Sequence, residues 1–321
     1  MLSSETKRMI NVLKFFCIFS VICAHTNSVT MGSETLTMIF SSFLNILGTI
    51  GVSIFFIISG FLYYYNTDKF TFFLKKKIKN LVIPWFITGT IVFFYVYIRK
   101  GNINILNWFN YVIGNGTYLY YMSMLSVNYL LFFKLKYNKR VLYLSILLSF
   151  LCFLGEYNGI YIIENPYVNI LNWVGYFSVG ILIAKCNILD QIVFYSKKWN
   201  KLFIASWILL VIYLILFEKF SYWNKLYIPF EFISIMMLVY FSNRLNRNKI
   251  LINIGKQSYA IYLLHMLLVG LINYSFVFLK IEYLLLIKPI IILIIMYILI
   301  LFIKKLSQKL HINYAVYLGI R

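Results

Sequence analysis

Long apolar runs separated by short charged segments set the pattern of this chain from near its first residue to near its last. Ten of these runs approach the roughly 20 residues that carry an α-helix across a bilayer. They fall at about 9–28, 43–65, 81–98, 117–133, 141–155, 168–184, 202–217, 227–242, 257–279 and 283–303. The run from Ile287 to Ile303, IKPIIILIIMYILILFI, shows no alternation of period two. Barrel strands need that alternation, so the spans read as helices. The pattern predicts an all-α fold, a polytopic membrane bundle of about ten transmembrane helices. No repeat of 20–50 residues is evident.

The charged segments orient these spans. With the N-terminus in the cytoplasm, alternate segments hold Lys7 and Arg8; Lys69, Lys75, Lys76, Lys77 and Lys79; Lys134 to Arg140; Lys185 to Lys201; Arg244 to Lys256; and Lys304 to Arg321. The opposite loops hold only Arg99, Lys100, Lys219, Lys225 and Lys280. Cytoplasmic loops are the ones that retain lysine and arginine, so both ends are expected in the cytoplasm of a multi-pass bacterial membrane protein.

Composition adds what this topology excludes. The chain has 321 residues, 62% hydrophobic and 12% charged, with a mean hydropathy of +0.83. Soluble domains carry about twice that charged fraction. A net charge of +21 would suggest nucleic acid on a soluble protein, but here the positives flank apolar spans and read as topology. Cys17, Cys23, Cys152 and Cys186 lie in or beside apolar spans without a CxxC pair, so small inert side chains are expected rather than disulfides. No metal site is expected. The first apolar run lacks an Ala-x-Ala-like cleavage site, so the first helix is expected to be retained. The longest non-apolar stretches are about 15–20 residues. One membrane domain over residues 1–321 is therefore expected, with any active site built from helices and short loops.

Ionisable groups inside spans cost free energy and tend to mark function. Here they are Lys14, His25, Glu231, His265 and Lys288. Glu231 and Lys288 stand near helix ends, where reaching the membrane surface is the simpler reading. Lys14 and His25 are eleven residues apart in LKFFCIFSVICAHTN, about 16 Å of axis and three turns plus roughly 20°, so they share one face. An imidazole can act as a base near pH 7 and an ammonium can hold an anion. A packed histidine with a surface-seeking lysine is the alternative. Ser258, Tyr262 and His265 share a face of the ninth span, either as a polar seam between helices or as part of a site. Ser59 and Gly60 form a small spot open to close approach by a helix or a ligand, and by itself such a spot reads as packing. Lys75, Lys76, Lys77 and Lys79 precede Pro84 at the cytoplasmic mouth, fit to meet lipid headgroups or a polyphosphate ligand. No Gly-rich phosphate loop occurs. Glu34, Glu156 and Glu164 read as solvated loop charges. Trp108, Tyr111, Tyr118, Tyr157 and Tyr161 read as interface anchors.

Taken in order, four segments resemble the integral-membrane acyltransferase 3 family. They are Lys14 to His25, GVSIFFIISGF (Gly51 to Phe61), KKKIKNLVIP (Lys75 to Pro84) and SYAIYLLH (Ser258 to His265). The family pattern has arginine where Lys14 stands, and often arginines before the proline where this chain has lysines and Asn80.

The resemblance implies acyl transfer from cytoplasmic acyl-CoA, most often acetyl-CoA, to a hydroxyl of an acceptor at the outer face. No permanently bound cofactor is implied. The acceptor would be a surface glycan or a lipid-linked glycan, with membrane lipids and polysaccharide-assembly proteins as further partners and no nucleic acid. His25 would be a general base or acyl relay, and Lys14 would contact the donor. Lys75, Lys76, Lys77, Lys79 and Ser59 would bind the donor, its pantetheine arm threading along the first two helices. Gly60, Ser258, Tyr259, Tyr262 and His265 would line or support the passage. A transport or export module, and a structural or sensory component, are the alternatives. The motifs disfavour the sensory reading and separate the first two poorly.

Overall fold

The computed structural model describes residues 2–28, 35–98, 103–218, 221–279, 282–311 and 314–320. Glu34, Arg99, Lys100, Lys219, Lys280 and Arg321 lie outside them. Helices account for nearly all regular structure, and no strand occurs among the described residues. In chain order they are α1 (Ser4–Thr26), α2 (Thr35–Gly48), α3 (Gly51–Tyr64), α4 (Phe70–Lys77), α5 (Ile83–Tyr97), α6 (Ile105–Ile113), α7 (Tyr120–Leu135) and α8 (Lys139–Tyr157). They continue as α9 (Leu171–Lys185), α10 (Leu189–Lys198), α11 (Asn200–Phe217), α12 (Tyr227–Arg244), α13 (Lys249–Lys256), α14 (Ser258–Phe278), α15 (Lys288–Lys309) and α16 (Tyr314–Tyr317).

A helix stands at each of the ten expected spans. Eight spans among the described residues are long and apolar enough to cross a membrane. The helices at the other two expected positions, α7 and α12, are not among the eight. The protein is a multi-pass helical membrane bundle. Many large apolar side chains face outward, Leu209 and Phe217 on α11 among them, as a hydrocarbon solvent allows.

Local chemistry sets the helix ends and breaks. Ser3 caps α1 by accepting from the Thr6 N–H at 3.0 Å. Asn138 and Asn248 cap α8 and α13 in the same way. A two-residue break separates α2 from α3, and Ser20 of α1 clasps it: its hydroxyl donates to the Leu47 carbonyl at 2.6 Å and accepts from the Gly51 N–H at 2.8 Å. Between α4 and α5 the chain winds as a π-helix over Ile78–Val82. Pro84 is the cause. It has no N–H to donate, and its ring crowds the carbonyl four residues back, so the preceding turn widens.

The chain divides into two compact units, Met1–Val52 with Asp190–Ile303, and Ser53–Leu189 with Lys304–Arg321. In the first unit α1 is central and packs on α2, α12, α13 and α14. The crossing with α13 is close because Gly255 lies against the main chain at Asn11. Cys23, Leu44 and Leu285 form a buried cluster joining α1, α2 and the turn before α15. In the second unit α8 packs on α9, α5 on α6, and α7 on α9. Its centre is aromatic: Phe56 stacks on Trp173 at 5.4 Å and meets Tyr121 edge-on at 4.9 Å.

Several expectations are corrected here. Glu231 and Lys288 do not reach the surface; they are 3% and 1% exposed, with the Lys288 ammonium 5.1 Å from the Phe276 ring centre. Glu156 is not a solvated loop charge. It is 2% exposed, and its Oε1 accepts from the side-chain amides of Asn172 and Asn169 at 3.1 and 3.4 Å. A carboxylate this deep needs donors, and the two asparagines supply them. Tyr111 and Tyr118 belong to the core rather than the interface, whereas Tyr157 and Tyr161 are exposed. All four cysteines are free, but Cys186 is exposed and only the other three are buried.

Candidate active site

The first unit holds Lys14, His25 and the polar face of α14. Lys14 and His25 lie on one uninterrupted helix, so the shared face expected from their spacing is present in α1. Both are half-buried. The packing of α1 on α14 brings in a partner 240 residues further along the chain. The ring of His265 is centred 5.2 Å from that of His25, the planes tilted by 45°. His265 has no solvent exposure, and its Nδ1 lies 2.7 Å from the Tyr262 carbonyl oxygen. The Tyr262 ring is centred 6.0 Å from His265 and is itself buried. Ser258 is buried one turn before Tyr262, and Tyr259 is half-buried. The face read from Ser258, Tyr262 and His265 thus turns inward.

The second unit holds the other expected site residues. The Ser59 hydroxyl is 3.4 Å from that of Tyr121. Gly60 packs on the main chain at Phe177, which makes it a packing residue. Lys75, Lys76 and Lys79 are exposed, and Lys76 pairs with Asp68 at 3.5 Å. Lys77 differs: its ammonium lies 3.4 Å above the Tyr129 ring and 5.5 Å from that of Phe73. A second cation, the buried Lys136, donates to the Asn66 carbonyl and faces the Tyr63 ring. Lys77 is therefore a cation–π anchor for its helix, Lys76 is shared between Asp68 and the Phe72 ring 5.9 Å away, and Lys75 and Lys79 are exposed.

Chemically, the first unit offers a half-buried imidazole backed by a second imidazole, with an ammonium on the same helix face. That set can take up a proton and hold an anion. The profile of the acyltransferase-domain family, acyltransferase 3, matches residues 8–304. The chain therefore belongs to this family, and the protein is a membrane acyltransferase. No curated protein and no solved structure matches the chain.

The sequence resemblance set His25 and His265 along one passage without pairing their rings. Only the contact between α1 and α14 joins them. The Tyr121 hydroxyl beside Ser59 and the Tyr129 ring over Lys77 were equally hidden, because neither tyrosine lies in a motif.

Proposed function

We propose that the protein is an O-acyltransferase of a bacterial cytoplasmic membrane. It would move an acyl group, acetyl in the simplest case, from cytoplasmic acyl-CoA to a hydroxyl of an extracytoplasmic glycan, free or lipid-linked. The observation that carries the reading is the contact of His25 with His265 of α14, with Lys14 on the same helix as His25. In this reading both chain ends are cytoplasmic, as the lysine-rich segments favour.

His25 acts as the general base. It takes the proton of the acceptor hydroxyl as that oxygen attacks the thioester carbonyl. The C–S bond then breaks, and the proton passes to the departing CoA thiolate. Lys14 contacts the donor. Lys75, Lys76 and Lys79, all exposed, bind its phosphates. Ser59 serves the donor too, while Tyr259 and Tyr262 support the site.

The test is base-labile O-acetyl on purified surface glycan from cells carrying the intact chain, a deletion, and His25→Ala. Loss of acetate in both mutants at unchanged polymer amount supports the reading. Retained acetate with a polymer or small metabolite stranded inside the cell sinks it in favour of export.

A further inference from the structure

Glu156 stands in the last turn of α8, at the end opposite Lys139 and Arg140. It is buried, as are Asn169, just before α9, and Asn172, in the first turn of α9. The donors around this carboxylate are spent. The two amide hydrogens of Asn172 go to Glu156 Oε1 at 3.1 Å and to the Pro166 carbonyl at 2.9 Å. Those of Asn169 go to the same Oε1 at 3.4 Å and to Cys152 Sγ at 3.2 Å. Both amides are fixed in orientation, because a flip would set an amide oxygen against Oε1. The first main-chain N–H groups of α9 are engaged too. That of Leu171 donates to the Asn169 side-chain oxygen, and those of Asn172, Trp173 and Val174 donate to the Asn169 and Ile170 carbonyls. The N–H groups of Asn158, Gly159 and Ile160 close the end of α8. Two buried side-chain atoms of the cluster are left without a hydrogen-bond partner, Glu156 Oε2 and Asn172 Oδ1. Both are oxygens, and an ionised carboxyl and an amide carbonyl only accept.

We propose that these two oxygens bind a monovalent cation at the junction of α8 and α9. The Glu156 carboxylate supplies the charge and the Asn172 carbonyl a second ligand. Buried charges are paired or hold a metal ion, and two hydrogen bonds to one oxygen leave this charge without a counterion. Among the described residues no lysine or arginine forms an ion pair with Glu156. Burial sets the size of the ligand: neither oxygen is open to a sugar or a phosphate, whereas a bare ion is small enough to lie between packed side chains. Charge sets its valence. One carboxylate balances one positive charge, whereas calcium sites gather several acidic oxygens. Bound there, the cation ties the end of α8 to the start of α9 across the connection at 158–170. Its ligands all belong to the second unit and have no part in acyl transfer, so the site does not depend on that reading.

The test uses the full-length protein in lipid nanodiscs, with sodium as the probe. Binding of ²²Na⁺ is measured against unlabelled sodium, potassium, calcium and magnesium. Thermal unfolding is followed in sodium chloride and in choline chloride of equal ionic strength. The expected result is a single saturable sodium site per chain, absent in Glu156→Gln and about tenfold or more weaker in Asn172→Leu. Sodium about tenfold above its apparent Kd is expected to raise the unfolding temperature of the wild type by about 2–4 °C, and to leave that of Glu156→Gln in place.

No saturable binding of sodium to the wild type, and no stabilisation by sodium or potassium over choline, overturns the proposal. That arm needs no variant, so it decides the matter even where Asn172→Leu does not fold. Sodium binding unchanged in folded Glu156→Gln places the ion elsewhere and overturns it too. Displacement of sodium by micromolar calcium or magnesium overturns the monovalent assignment. Infrared spectra separate the ion from a proton. A carboxylic-acid band missing from Glu156→Gln and persisting in the wild type at saturating sodium means that Oε2 carries a hydrogen instead, which also overturns the proposal.

Discussion

Gly60 on α3 lies against the main-chain carbonyl of Phe177 on α9, so close that a Cβ there would overlap the oxygen. The contact is mutual: Gly180 on α9 lies against the Ile57 carbonyl on α3. Two backbones meet where small residues allow it, the usual means of close helix packing in a membrane. Gly60→Ala or Gly180→Ala is expected to destabilise the protein by about 1–3 kcal/mol or more, because the neighbour to be displaced is backbone. Thermal unfolding in detergent reads this out. Gly155→Ala, where a Cβ would meet ordinary contact at 3.4 Å, is expected to unfold near the wild-type temperature. Equal stability of all three variants would contradict this account of the crossing.

Lys14 offers charge without the planar fork of the family's arginine. If its role is to hold an anionic part of the donor, Lys14→Arg should keep most of the activity and Lys14→Met should lose about tenfold or more in kcat/KM for acyl-CoA. Acyl-CoA turnover by the purified protein in nanodiscs measures both. Full activity of Lys14→Met would leave Lys14 as a packing residue of α1.

The four lysines before Pro84 are expected to separate by function. Lys77→Met removes a cation held on Tyr129 and should cost about 0.5–2 kcal/mol of stability. The double variant Lys75→Gln with Lys79→Gln removes exposed charges and should leave stability nearly unchanged. It should instead raise the donor KM severalfold at low salt. The wild-type KM should approach the variant's as salt screens the exposed ammonium groups. A KM insensitive to both mutation and salt would remove these lysines from donor binding.

Glu156 depends on its two asparagine donors. Replacing Asn172 with leucine removes the closer one, at 3.1 Å, and leaves the carboxylate underserved inside the protein. A loss of about 1–3 kcal/mol is expected. Glu156→Gln, which removes the charge and keeps the shape, should cost less. A larger loss for Glu156→Gln than for Asn172→Leu would show that the charge itself supports the fold.

Much of this protein is legible along the chain because the bilayer acts on it locally. Apolar runs must be helical to satisfy their own backbones, so each expected span is a helix. Periodicity places Lys14 and His25 on one face of α1 without reference to any other element. The lysine segments before Pro84 and the order of the four motifs are equally readable. Even here the edges escaped: the span read as 43–65 is two helices with a break that Ser20 clasps from α1. A distant hydroxyl holds that break, and no local propensity announces it.

What burial decides was hidden. Glu156 resembles any loop carboxylate until Asn169 and Asn172 fold over it, and Glu231 and Lys288 resemble surface-seeking side chains until their helices pack. The pairing of His25 with His265 belongs to the same class. The sequence alone determined a helical membrane acyltransferase with a histidine and a lysine on one face of its first helix. The tertiary structure alone decided which second ring backs that histidine, because side chains 240 residues apart meet only through the packing of whole helices.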